Sequence, residues 1–192
     1  MARSAKPKDR PSLALELALA KLGTSGLDAA DLAALKLKVW EGPETAGIDG
    51  TFPAVPSLEF PYLDPFNKWA PLAPKPKWPP VRRFRLLQEV KRIAGRGPLR
   101  YVQPEGTGVC AYFPPSVDWA EIARNPAQTV LITEGELKAA KATKEGFPTI
   151  GLGGVWSFRS TALRCPFLPE LEKINWAQRK VVIAYDSDVT EK

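Results

Sequence analysis

The stretch Thr129–Phe147, TVLITEGELKAAKATKEGF, carries the decision about fold. Its first five residues are branched or apolar and stop abruptly on Glu134. An apolar run without alternation is the pattern of a strand covered on both faces. Gly135 follows at once and lets the chain turn sharply. The next residues are mostly Ala, Lys, Leu and Glu, good helix formers, and Gly146 is placed to end the helix. Strand then helix is therefore expected here. Downstream, FPTIGLGG (Phe147–Gly154) reads as a second strand running into a Gly-rich turn. Leu168–Ile174 reads as a short helix, and RKVVIAY (Arg179–Tyr185) as a third buried strand. Strand, helix, strand, helix, strand is the grammar of a parallel α/β sheet. Right-handed crossovers would bring the C-terminal ends of all three strands to one edge.

Two of those strands end on acid: the first on Glu134, the third on Asp186 and Asp188. Each acid alone could simply open a helix as an N-cap. The same strand-then-acid layout occurring twice points to a shared site instead. Carboxylates gathered on one edge repel one another, and a hard divalent cation with oxygen ligands relieves that repulsion. Mg²⁺ (or Mn²⁺) is the cofactor this predicts. GLGGVWSF (Gly151–Phe158) reads either as backbone donors for phosphate or as a tight turn with Trp156 packed into the core. It lacks the Lys and Ser/Thr of a P-loop.

Upstream, Leu13–Leu22 reads as a helix ended by Gly23. Asp28 is placed to cap a second helix over about 29–37, with Asp31 completing a capping box. These helices form an N-terminal lead-in, residues 1–41. Residues 42–127 are rich in Pro and expected to be irregular α+β, since Pro fixes the backbone and removes a donor. Within them, SLEFPYLD and VRRFRLL are expected to pair as strands across a Pro-rich connector. LRYVQP and GVCAYFPP are expected to form a hairpin, and DWAEIARN a short helix.

Composition narrows the chemistry. The 192 residues contain 20 prolines, no histidine and two cysteines, and 44% of them are hydrophobic. A packed core is therefore expected. His-dependent triads and imidazole or four-thiolate zinc sites are excluded. Free thiols suit a cytoplasmic protein. The basic start followed by LALELALA is broken by Glu16, which argues against an export signal. No apolar run reaches the ~20 residues of a membrane span.

The net charge of +6 is concentrated. Between Lys75 and Tyr101 nine basic residues face one acid, whereas from Gln128 onward nine basic residues nearly balance eight acids. Arg82, Arg83, Arg85, Lys91, Arg92, Arg96 and Arg100, interleaved with Phe84 and Tyr101, make a pattern suited to single-stranded DNA. Lys138, one turn beyond Glu134, is a further phosphate contact or a plain surface lysine.

The ITEGELKAAKA motif with Glu134-Gly135, followed by GLGGVWSF and the IAYDSD strand with Asp186-Ser187-Asp188, resembles the TOPRIM domain. The wording is similar to that of phage- and plasmid-type primase–helicase proteins, and covers about residues 128–188. The resemblance implies that Glu134, Asp186 and Asp188 are catalytic and hold Mg²⁺, with Glu134 as ligand or general acid/base. It implies nucleotidyl transfer on single-stranded DNA with nucleotides as substrates, and a replicative helicase as partner. Bacterial primases carry an Asp where this chain has Lys138. The family pattern also continues with another helix and strand. The expected fold is thus α/β: an incomplete TOPRIM-like parallel sheet, residues 128–192, preceded by the irregular Pro-rich α+β region. A metal-dependent nuclease or topoisomerase-like enzyme and a non-catalytic DNA-binding or assembly module remain as alternatives.

Overall fold

The computed structural model describes residues 11–91 and 97–186. Helix α1 (Leu13–Thr24) opens where the Ser12 hydroxyl accepts the Leu15 N–H. Helix α2 (Ala29–Ala34) has the expected capping box between Asp28 and Asp31. It stops earlier than expected because the chain turns through Lys36 at φ 53 into β1 (Lys38–Trp40). The Pro-rich region is more ordered than its composition suggests. Helix α3 (Gly42–Ile48) carries Pro43 in its first turn, where the missing N–H costs nothing.

Strands β2 (Ser57–Pro61), β3 (Leu63–Asp64), β4 (Ala70–Pro71), β5 (Arg82–Val90) and β6 (Leu99–Val102) follow. The expected pairing across the Pro-rich connector is present: Ser57 lies opposite Leu86 and Pro61 opposite Arg82. An antiparallel sheet of order β1-β2-β5-β6 results. The hairpin expected over residues 99–115 does not form. Strand β6 pairs with β5 instead, and the Val109–Pro115 segment crosses to the other sheet, where Tyr112 bridges Gly151. Both partners were apolar and strand-like, so local pattern did not distinguish the two pairings.

The second half follows the expected grammar. Helix α4 (Trp119–Arg124) is capped by Asp118. Then come β7 (Val130–Glu134), α5 (Glu136–Lys144), β8 (Thr149–Leu152), α6 (Pro169–Glu172) and β9 (Val181–Ala184). The three strands form a parallel sheet of order β8-β7-β9. Helix α5 packs into a core with α1 and β2, through Leu137, Ala139, Ala140, Ala18, Leu22 and Leu58. Val130, Ile150, Leu152, Trp119 and Leu171 fill a second core on the other side of the sheet. This explains the unbroken apolar run of β7, which is covered from both faces. One core joins residues from all three segments delineated by the sequence. Strand β9 differs from expectation. Its four residues are exposed, because it is an edge strand with no described element laid over it. No helix among the described residues is long and apolar enough to cross a membrane.

Candidate functional site

Strand order reverses at β7: the chain steps to β8 on one side, then returns to β9 on the other. In open parallel sheets a crevice forms beyond the strand ends at such a switch point. Glu134 ends β7 at that place. Thr133 is in register with Ala184, so Asp186 emerges two residues beyond β9 at the same edge. A Thr133 hydroxyl bond to the Ala184 carbonyl, 2.7 Å, fixes the two strand ends together. Gly135 turns the chain at φ 83, ψ 154, a conformation glycine adopts and other residues do not.

Glu134 and Asp186 line a cleft of about 400 Å³ between this edge and the antiparallel sheet. The opposite wall carries Arg83 and Arg85 of β5, Arg100 and Tyr101 of β6, and Lys21 of α1. Asp186 is ion-paired with Lys138. Asp188, Arg92 and Arg96 lie outside the described residues. Among the described residues no group of three or more His, Cys, Asp or Glu is placed to hold a metal. Glu134 and Asp186 supply two carboxylates, a hard oxygen set of the kind Mg²⁺ takes.

The arginines do not act as one patch. Side chains alternate along a strand, so Arg82 faces away from Arg83 and Arg85. Arg82 makes a two-pronged contact with the buried Glu59, Nε to Oε1 at 2.6 Å and Nη2 to Oε2 at 3.0 Å. The Trp40 indole N–H also donates to Glu59. Lys91 is exposed just past β5 and does not line the cleft.

Arg83 is held by a residue the sequence reading passed over. Glu136 is 1% exposed, and its Oε1 accepts from Tyr62 Oη at 2.6 Å and Arg83 Nη1 at 3.1 Å. Arg83 also donates to the Gly153 carbonyl and stacks over Tyr101, 4.6 Å from the ring centre. Burial opposes the Arg83 charge, but Glu136 and Tyr62 outweigh it and hold its pKa above the usual guanidinium value. Glu136 sits in the first turn of α5, where the helix dipole favours negative charge. This network ties the antiparallel sheet to the turn that sets Glu134. Its only trace in the sequence is an acid at the first turn of a helix, which looks like any other.

The Gly-rich turn serves this packing. A Cβ on Gly153 would lie 2.9 Å from Arg83 Nη1, and one on Gly151 3.0 Å from the Gly135 carbonyl oxygen. Trp156, expected in the core, is 67% exposed. It adjoins an apolar groove that also includes Phe158, Phe167 and Ile183.

All four tyrosines are shifted upward. Burial and then Glu136 raise Tyr62, Tyr101 and Tyr112, and burial and then Glu134 raise Tyr185.

The fold and cleft define a mixed α/β protein with a cation-lined crevice at a switch point of a three-stranded parallel sheet. Residues 118–192, which include Glu134, Asp186 and Asp188, match a family described as a domain of unknown function (DUF3854). No curated protein and no solved structure matches the chain.

Proposed function

We propose that the chain carries a TOPRIM-type centre of a DNA primase or primase–helicase, transferring nucleotides on single-stranded DNA with Mg²⁺ or Mn²⁺. The observation that supports this best is the meeting of Glu134 and Asp186, from adjacent parallel strands, in one cleft faced by cations. Glu134 and Asp186, with Asp188, would hold the metal. When bound, it polarises a phosphate oxygen and offsets charge on the leaving group. Arg85 and Arg100 bind and orient phosphates of the template strand. Glu134, half-buried beside the Gly135 turn, accepts a proton or a cation without moving its backbone. Lys138, paired with Asp186, would give way if a divalent cation bound there.

A replicative helicase as partner and a cytoplasmic setting follow from the same reading. The test is Asp186→Asn and Glu134→Gln in the full-length protein, assayed for primer synthesis with labelled nucleotides and Mg²⁺. Loss of about 100-fold or more is expected, since metal stabilisation supplies several kcal/mol. Single-stranded DNA binding should survive. Full synthesis by the double variant would overturn the catalytic reading and leave the assembly-module alternative.

A further inference from the structure

Five cations line the cleft: Lys21, Arg83, Arg85, Arg100 and Lys138. Two of them are already neutralised, Arg83 by Glu136 and Lys138 by Asp186. Among the described residues, Lys21, Arg85 and Arg100 form no salt bridge. They come from three elements, α1, β5 and β6, and line the one cleft together with Tyr101. The Arg85 guanidinium lies 5.0 Å from the Tyr101 ring centre, and its Nε is buried with no hydrogen-bond partner.

Like charges gathered on one cleft wall repel one another, and an anion bound between them relieves that repulsion. Burial lowers the Lys21 pKa, and the charges of Arg85 and Arg100 lower it further. Helix α1 is fixed by Ala14, Ala18 and Leu22, all fully buried, so Lys21 cannot retreat by moving its backbone. Guanidinium groups and an ammonium converging on one space are the donor set for a phosphate group with several charged oxygens.

We infer that Lys21, Arg85 and Arg100 form a phosphate-binding site on the cleft wall opposite Glu134 and Asp186, with the N-terminal helix supplying one of its three cations. The site takes a phosphate ester or polyphosphate anion, from a nucleotide or from a nucleic-acid strand. Helix α1, a lead-in by sequence, is thereby part of the binding surface. The inference rests on reading the cleft as a place for phosphate chemistry, but not on the metal.

The test is calorimetric titration of the full chain with sodium tripolyphosphate and, separately, with a short oligothymidylate, both in EDTA. Lys21→Met and Arg100→Met should each weaken binding about tenfold, the loss of one charge-assisted contact in a partly exposed site. Lys21→Arg should retain affinity. Lys38→Met, which removes the same charge from β1 outside the cleft, should leave it unchanged. If the two ligands compete and both depend on Lys21, the site belongs to the strand's phosphates. If tripolyphosphate binds alongside the oligonucleotide and only its affinity depends on Lys21, the site takes a free polyphosphate. Asp186→Asn should bind tripolyphosphate at least as well as the unaltered chain, so a failed metal centre and a failed anion site give different results. Melting curves monitor folding, and Arg100→Met, at an exposed side chain, keeps the test decisive if Lys21→Met melts early. Affinity unaffected by either Lys21→Met or Arg100→Met would overturn the inference.

Discussion

Replacing Arg83 by methionine leaves Glu136 buried with only the Tyr62 hydroxyl to satisfy it. The Arg83 side chain is 17% exposed and that of Glu136 1%, so the pair is buried on the acid's side and nearly so on the other. Removing one partner of a buried pair costs about 3–5 kcal/mol, because the remaining charge is stranded. The 2.6 Å bond from Tyr62 persists and places the expected loss at the low end, about 3 kcal/mol. In a chain of this size that lowers Tm by about 6–12 °C. Glu136→Gln added to Arg83→Met removes the stranded charge while keeping an oxygen for Tyr62. The double variant should therefore melt above Arg83→Met alone, with a coupling energy of about 1 kcal/mol or more. The assay is thermal melting followed by circular dichroism, with urea unfolding to obtain ΔG. Strictly additive effects, or a loss below about 1 kcal/mol for Arg83→Met, would refute the network as an energetic unit and reduce it to a surface ion pair.

Gly135→Ala should destabilise by about 1–3 kcal/mol through backbone strain alone, since a Cβ there meets nothing within 4 Å; an unchanged melting temperature would show that φ 83 is not required. Arg82→Ala should leave the salt dependence of single-stranded DNA binding unchanged, because Arg82 is paired with Glu59 on the other face. Arg85→Ala should reduce the slope by up to about one unit, and the reverse ranking would move the DNA path to the opposite face. Burial raises the Glu170 pKa despite the Ala111 N–H bond to its carboxylate. With the folded value raised, the folded state binds the proton more tightly. That stabilisation is full below the ordinary glutamate pKa and is lost as pH rises through the raised value. Glu170→Gln, which keeps an acceptor for Ala111, should therefore gain in melting temperature relative to the unaltered chain as pH rises above the ordinary glutamate pKa; a difference constant with pH would remove Glu170 as the source.

The strand ending on Glu134, the turn at Gly135, helix α5, the parallel order of elements and the cap at Asp28 were legible in the sequence. These rest on periodicity, backbone sterics and short-range hydrogen bonds, which neighbouring residues specify. The sequence also placed Glu134 and Asp186 on one edge, because crossover handedness leaves little choice. Only the tertiary structure decided which arginines face the cleft. That depends on the register of β5 against β2 and β6, and on Glu59 and Glu136 each claiming one arginine. The same holds for Lys21. A lysine on a short amphipathic helix carries no local sign of its destination, and packing Ala18 and Leu22 against β2 and α5 is what brings it to Arg85 and Arg100. The pairing of β6 with β5 rather than with residues 109–115, and the exposure of β9 and Trp156, were likewise hidden. Apolar strand-like segments are interchangeable in sequence, and long-range packing alone selects among them.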